Sequence, residues 1–335
     1  MNEATRLPVT LLTGFLGSGK TTLLNHWLLQ PEMRDTLVII NEFGEISLDH
    51  LLVAHQLDST VVMELSNGCL CCQLRTDLKQ VLKDIQWRFS RNGKRQFQRV
   101  VIETSGVADP APILHTLMRD TYLAAAYQLD GIVTVVDGML GETTLDKYPE
   151  AVKQVQLADI LLLSKLDMTD VSMLQTLKTR LHKLNPQAQL LLSDFNSGQV
   201  PTPALLFGST EERGFPHWLS ALLQPVLHGA EISTLSLALD RPVPRLDFEQ
   251  WLDHLRGFAA PGLLRFKGIF HLENEAAPVT VHRVQHVLGK PEILRHWDAS
   301  DQRSRLVFIT QDELDHEIRQ LLQPLARFAS MHHES

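Results

Sequence analysis

The chain has 335 residues, a formal net charge of -8, 44% hydrophobic and 21% charged residues, which is the balance of a globular protein too long for one comfortable core, so one large and one smaller domain are expected. The negative net field argues against broad electrostatic attraction to nucleic acid or to an anionic membrane. No apolar run reaches the length of a membrane span and the opening M-N-E-A-T-R-L-P is not a secretory signal, so a cytoplasmic protein is expected.

In chain order, the apolar, β-branched run Val9 to Leu12 predicts a buried strand, and Thr21 to Leu29 predicts a helix. Between them Gly14, Gly19, Lys20 and Thr21 fit the pattern G-x-x-x-x-G-K-[ST], in the strand, loop and helix context that a phosphate-binding loop requires. Gly14, Gly17 and Gly19 let the backbone aim its N–H groups at phosphate oxygens, and the helix N-terminus adds partial positive charge. Ser18 and Thr22 are counted with them as nucleotide contacts. Lys20 is placed to reach the β- and γ-phosphates, and the Thr21 hydroxyl to take one position on Mg2+.

Thr36 to Ile40 predicts a second buried strand, ending on Asn41-Glu42-Phe43-Gly44-Glu45, at the strand end where ligands bind in open parallel sheets. Val61 to Leu65 leads into Ser66-Asn67-Gly68-Cys69-Leu70-Cys71-Cys72, which holds all three cysteines of the chain. So tight a cluster in a reducing compartment points to metal or redox chemistry rather than a disulfide framework. In an extended segment Cys69 and Cys71 share a side, so two thiolates can hold one Zn2+, while Cys72 faces elsewhere unless the chain bends. A helix follows over Asp77 to Phe89, and the basic cluster Arg88, Arg91, Lys94, Arg95 and Arg99 reads as a solvated helix end and loop.

The strand Arg99 to Ile102 delivers Glu103-Thr104-Ser105-Gly106. A carboxylate there suits a hard cation, which makes Glu103 a candidate Mg2+ ligand and, with Lys20, a candidate catalytic residue. Gly106 lets a backbone N–H approach the γ-phosphate, so Thr104 to Asp109 is a candidate switch segment, and Asp109-Pro110 opens the next helix. Strands at Gly131 to Val136, Ile160 to Leu163 and Gln189 to Leu192 follow. Strands alternating with helical stretches predict an α/β fold, with a mostly parallel sheet and helices on both faces. Ser164-Lys165-Leu166-Asp167 resembles the N-K-x-D element of GTPases. Asp167 can accept both donors on the guanine edge, which adenine does not offer, and the Lys165 stem can lie against the purine. Ser164 stands in place of Asn, so an amide that braces this loop is expected to be missing.

Between Asn196 and Pro216 the composition turns to Gly, Pro, Ser and Thr, and a helix around Trp218 to Leu223 closes the segment. A boundary near Leu227 to Ser233 gives a first domain over 1–228 and a second over 233–330. The second reads as a strand (Thr234 to Leu239), a helix (Phe248 to Phe258), strands at Leu263 to Leu272, Val279 to Val287 and Arg305 to Ile309, and a helix (Leu314 to Phe328). With a hairpin around Glu273 to Ala277 this is a small α+β domain resembling a split β-α-β arrangement. It holds no phosphate loop and no close Cys/His set, so it is expected to serve partner or self-association.

Five motifs in order resemble the CobW/YjiA-type GTPases, relatives of the nickel-handling GTPases of hydrogenase and urease maturation. They are G-F-L-G-S-G-K-T-T (Gly14 to Thr22), N-E-F-G-E (Asn41 to Glu45), N-G-C-L-C-C (Asn67 to Cys72), E-T-S-G-V-A-D-P (Glu103 to Pro110) and S-K-L-D (Ser164 to Asp167). The resemblance covers the whole first domain, a P-loop NTPase domain, and the second domain is similar to that family's small C-terminal domain. It implies a GTP-hydrolysing metallochaperone or insertase, with zinc the usual metal and cobalt or another transition metal the alternative. A metal-requiring client protein is the implied partner, the oligomeric state is left open between a monomer and a homo-oligomer, and neither nucleic acid nor a membrane is expected. A second reading is a zinc buffer or sensor in which GTP is a regulatory ligand. The resemblance makes Cys69, Cys71 and Cys72 the metal motif, with either Glu45, which matches a carboxylate used in the family, or solvent as a further ligand.

Overall fold

The computed structural model describes residues 6–40, 61–64, 73–91, 94–195, 197–203, 232–258, 262–284, 287–293, 302–311 and 314–329, and it divides into two compact units, 1–218 and 219–335. In chain order the first unit begins with β1 (Leu7–Thr13), α1 (Lys20–Leu28), β2 (Thr36–Ile40), β3 (Val61–Glu64), α2 (Gln73–Arg88) and a small ribbon of β4 (Ser90–Arg91) and β5 (Lys94–Arg95). It continues with β6 (Arg99–Glu103), α3 (Ala111–Arg119), α4 (Thr121–Ala126), β7 (Tyr127–Asp137), α5 (Gly141–Lys147), α6 (Pro149–Leu157), β8 (Ile160–Ser164), α7 (Val171–Leu184) and β9 (Gln189–Leu192).

Among the described residues, seven of these strands form one sheet in the order β3-β2-β6-β1-β7-β8-β9, and every neighbouring pair is parallel. A parallel sheet covered on both faces demands strands that are apolar throughout, and β2 and β8 are buried at every position. The two-residue period of a strand then divides each one between the faces. Ile160 and Leu162 of β8 join the core formed with Leu23, Leu24 and Trp27 of α1, whereas Leu161 and Leu163 join Val155 of α6 and Leu177 and Leu181 of α7. Helices therefore cover both faces, as the alternation in the sequence predicts.

The second unit runs β10 (Ile232–Leu239), α8 (Arg245–Gly257), β11 (Leu263–Phe270), β12 (Val279–Val284), β13 (Val287–Leu288), β14 (Glu292–Ile293), β15 (Ser304–Gln311), α9 (Asp315–Leu322) and a 3-10 turn over Gln323–Phe328. Its sheet has the order β10-β15-β11-β12-β13, with β14 beside β12. Because β15 runs antiparallel to both β10 and β11, the β10-α8-β11 unit is split by a third strand, the arrangement expected from sequence. The hairpin is present too, with Phe270 of β11 opposite Val279 of β12. The single strand expected over Val279 to Val287 is instead β12 and β13, which pair antiparallel with each other. No Gly or Pro punctuates that run, so its pattern gave no sign of the reversal. Trp251, Phe266, Phe270 and Phe308 fill the core, and the Trp251 indole satisfies its polar handle on the Leu321 carbonyl at 3.1 Å. The helix expected around Trp218 and the boundary residues 227–231 lie outside the described residues.

Asp120 joins two helices of the first unit. Its carboxylate accepts from the Tyr122 and Leu123 amides at 3.0 and 3.1 Å, capping α4, and it pairs with Lys79 at 2.7 Å and Lys83 at 3.7 Å on α2. The hydrogen bond from Lys79 is the main cause that holds this carboxyl down at about 2. A group with a depressed folded-state pKa contributes stability that is complete above its unfolded value and is lost as pH falls through its folded value. Asp120→Ala is expected to cost about 1 kcal/mol at neutral pH, the scale of a lost helix cap, and progressively less as pH falls from about 4 toward about 2. Urea unfolding of the wild type and the variant at neutral pH and in that acid window measures both.

Candidate nucleotide site

Strand β1 ends at Thr13 and the loop that follows turns on three positive φ angles, 141° at Gly14, 73° at Gly17 and 96° at Gly19. At Gly14 a Cβ would stand 2.3 Å from the Val135 carbonyl oxygen, so both the backbone conformation and the space require glycine. Gly19 precedes α1, and no side chain caps the helix, which leaves its first amides facing the loop as an anion site requires. Lys20 is buried, and its ammonium donates to the Phe15 carbonyl at 3.4 Å across the loop. Ser18 is buried and Thr22 is exposed.

The sheet register sets Glu103 of β6 beside Leu12 of β1. There the buried carboxylate accepts a hydrogen bond from Thr21 Oγ1 at 3.0 Å, which joins the first residues of α1 to the end of β6. A hydroxyl and a carboxylate are the hard oxygen donors that Mg2+ takes, so the pair fits that ion. Just beyond, the Thr104 hydroxyl donates to that of Thr13 at 2.8 Å. A Cβ at Gly106 would lie 2.6 Å from the Leu16 nitrogen. The missing side chain of Gly106 thus lets the segment 104–109 meet the phosphate-loop backbone. Asp109 Oδ1 accepts from the Ala111 amide at 2.9 Å and starts α3 as expected.

On the other side of β1, strand β8 ends at Ser164. Its hydroxyl donates to the Ser18 carbonyl at 2.6 Å and lies 3.3 Å from the Val136 carbonyl. The brace expected to be lost with the Asn amide is therefore made by the serine, whose short side chain reaches the phosphate loop directly. Lys165 takes a left-handed conformation, with φ 54°, and is followed by a 3-10 turn over Leu166–Met168 that leaves Asp167 exposed. The Lys165 ammonium pairs with Asp137 Oδ2 at 2.6 Å, and Asp137 Oδ1 accepts from the Met139 and Leu140 amides, both at 2.9 Å. Asp137 was not among the residues singled out from sequence, although an acid ending an apolar strand before Gly138 was a usable signal. Glu45, Cys69, Cys71 and Cys72 lie outside the described residues. Among the described residues no group of three or more His, Cys, Asp or Glu side chains is arranged to hold a metal.

A parallel sheet whose carboxyl edge carries a glycine loop, a helix N-terminus and a buried strand-end carboxylate defines a P-loop NTPase. The model of the CobW/HypB/UreG nucleotide-binding domain matches residues 8–192, that of the cobalamin synthesis protein cobW C-terminal domain matches residues 232–326, and the chain belongs to this family. Over 318 residues it is 33% identical to the zinc chaperone YjiA of Escherichia coli, a match covering 93% of this chain and 96% of that protein. It is 30% identical over 256 residues to zinc-regulated GTPase metalloprotein activator 1 of Dictyostelium discoideum, covering 65% of this chain but 52% of that longer relative. The crystal structure of Zn(II)-bound YjiA GTPase from E. coli matches with a TM-score of 0.67 at 29% identity, covering 97% of this chain and 100% of that one.

Ser164→Ala removes the hydroxyl that ties the base-side loop to Ser18. Loss of such a bond costs about 1 kcal/mol, so nucleotide affinity is expected to fall about five-fold. Titration with a fluorescent guanine nucleotide reads this, and an unchanged affinity would show that the brace contributes nothing to binding.

Proposed function

We propose that this chain is a GTPase that carries a transition metal, zinc before others, to a metal-requiring client protein, with hydrolysis gating the transfer. The observation that supports this most is the joining of the phosphate loop and α1 to the ends of β6 and β8, through Thr21 with Glu103 and Ser164 with Ser18, in a family whose relatives are named zinc chaperones and zinc-regulated GTPases.

In this reading Lys20 exchanges its contact with Phe15 for β- and γ-phosphate oxygens, and the amides of the phosphate loop and of α1 receive the rest of that charge. Thr21 and Glu103 hold Mg2+, which when bound neutralises charge on the β- and γ-oxygens. Asp167 accepts from the guanine edge, and Lys165, anchored through Asp137, lays its stem along the purine. Cys69, Cys71 and Cys72 hold the cargo metal, with Glu45 or solvent completing the set. The cysteine segment is bounded by Glu64 at the end of β3 and Gln73 at the start of α2, so it is attached on both sides to the nucleotide unit. Residues 233–330 serve client binding or self-association, and the protein acts in the cytoplasm without nucleic acid or membrane. Among the described residues no helix is long and apolar enough to cross a membrane.

Two measurements test the reading. Asp167→Asn is expected to weaken the preference for GTP over ATP by about 2–3 kcal/mol, the scale of a lost charge-assisted pair, and equal binding of both nucleotides by the wild type would sink the assignment. Titration of the apo-protein with Zn2+, Co2+ and Ni2+, with and without GTP, is expected to show zinc affinity shifting with nucleotide and GTP affinity shifting with zinc by the same factor. Cys71→Ser should lower zinc affinity at least about ten-fold, abolish that shift and leave GTP binding in place. Zinc binding indifferent to GTP would instead describe a metal buffer, and full zinc affinity with all three cysteines replaced would move the metal site elsewhere.

A further inference from the structure

Helix α6 sends a glutamine into the interior beside the switch segment. Gln154 is 1% exposed, and its amide nitrogen donates to the Gly106 carbonyl at 3.2 Å and to the Ala108 carbonyl at 3.0 Å. The helix is itself pinned to the sheet at that residue, because Thr134 Oγ1 of β7 donates to the Gln154 backbone carbonyl at 2.8 Å. A primary amide is the side chain suited to this task. It places two hydrogens on one neutral nitrogen, so it satisfies two buried carbonyls without the cost of burying a charge. A cavity of about 40 Å³ is lined by Phe15, Leu16 and Ser18 of the phosphate loop together with Gln154 and Val155 of α6. Close packing therefore does not fill all the space between phosphate loop and helix, and the two hydrogen bonds from Gln154 are the directed links from α6 to the backbone of the segment. The other link from α6, Lys153 to Asp109 at 3.3 Å, is a partly exposed ion pair of the kind that contributes little.

We infer that Gln154 is a positioning residue for GTP hydrolysis. By fixing Gly106 and Ala108 it sets how far the segment after Glu103 stands from the phosphate loop, and so how that segment meets a triphosphate. Gln154 acts through the loop and makes no contact with Lys20, Thr21 or Glu103 that the chemistry needs. The inference rests on the GTPase reading above, in which the segment 104–109 faces the γ-phosphate, and it adds a residue to that site.

Gln154→Met in the full chain keeps the length of the side chain and removes both donors. The single-turnover rate constant for GTP hydrolysis at saturating nucleotide is expected to fall about ten-fold or more, with GDP affinity kept within about two-fold of wild type. A rate constant at the wild-type value overturns the inference. So does a GDP affinity that falls as far as that for a non-hydrolysable GTP analogue, since that pattern marks general support of the site. Circular dichroism and melting check that the variant folds. If it does not, Thr134→Val, which keeps the strand and removes the hydroxyl that pins α6, carries the same comparison with an expected fall of about two- to three-fold in rate. An unchanged rate there overturns the inference equally. A wild-type chain that hydrolyses no GTP overturns the GTPase reading itself, an outcome distinct from intact hydrolysis in the Gln154 variant.

Discussion

All seven strands of the first unit's sheet point the same way, so their carboxyl ends share one edge, and the polar groups gathered there have to satisfy one another or a ligand. Four consecutive strands, β6, β1, β7 and β8, supply Glu103 and Thr104, the phosphate loop, Asp137, and Ser164. The register places Asp137 directly opposite Ser164 and Glu103 opposite Leu12, which brings side chains from distant parts of the sequence within reach. A buried polar atom left without a partner costs about 1–3 kcal/mol, so the bonds among these residues support one another. The hydrogen bonds from Thr104 to Thr13, Thr21 to Glu103 and Ser164 to Ser18 all converge on the phosphate loop and its flanks. Holding that loop in its glycine conformation and keeping the polar edge satisfied are the same structural requirement.

The two lysines of the site make contacts of different kinds. The contact from Lys20 to the Phe15 carbonyl is long, at 3.4 Å, and reaches a neutral acceptor. In the proposed reading, phosphate oxygens would offer Lys20 stronger, charge-assisted bonds than this carbonyl does. Lys165 sits at 2.6 Å from a carboxylate that two backbone amides also bond. Its head stays with Asp137 while its stem remains available as a surface for a flat ring.

The parts of the site that were legible in the sequence are those whose physical demands are local. A backbone at positive φ favours glycine, and Gly14, Gly17 and Gly19 mark the loop for that reason. Strands buried on both faces must be apolar throughout, which made β2 and β8 visible as runs. Gln154 had no such mark. In P-E-A-V-K-Q-V-Q-L it looks like one more polar residue of an amphipathic helix, and the carbonyls it serves lie 48 and 46 residues earlier. Ser164 misled in the opposite way: judged by its immediate motif it lacks an amide, but its hydroxyl meets a carbonyl 146 residues away. Short motifs record what the backbone needs nearby, and they are silent about partners that only the folded sheet brings together.

In the proposed reading, the cysteine segment is related to nucleotide by how the chain is routed. It leaves β3, which is separated from β6 only by β2, and ends where α2 begins, a helix secured to Asp120 through Lys79 and Lys83. In that reading, metal held by the segment is coupled to nucleotide only through contacts that differ between the GTP and GDP forms, and linkage then requires metal to act back on nucleotide by an equal free energy. Couplings of about 1–3 kcal/mol, or about 5–150-fold in affinity, are typical for such pairs of sites. The direction of metal transfer to a client depends on the ratio of two affinities and not on their absolute size. A coupling of that order is therefore enough to reverse the flow between donor and acceptor sites of similar strength. If the GTP form holds metal more tightly, cleavage of the γ-phosphate lowers the donor's affinity at the moment of delivery, and the irreversibility of hydrolysis makes the transfer one-way.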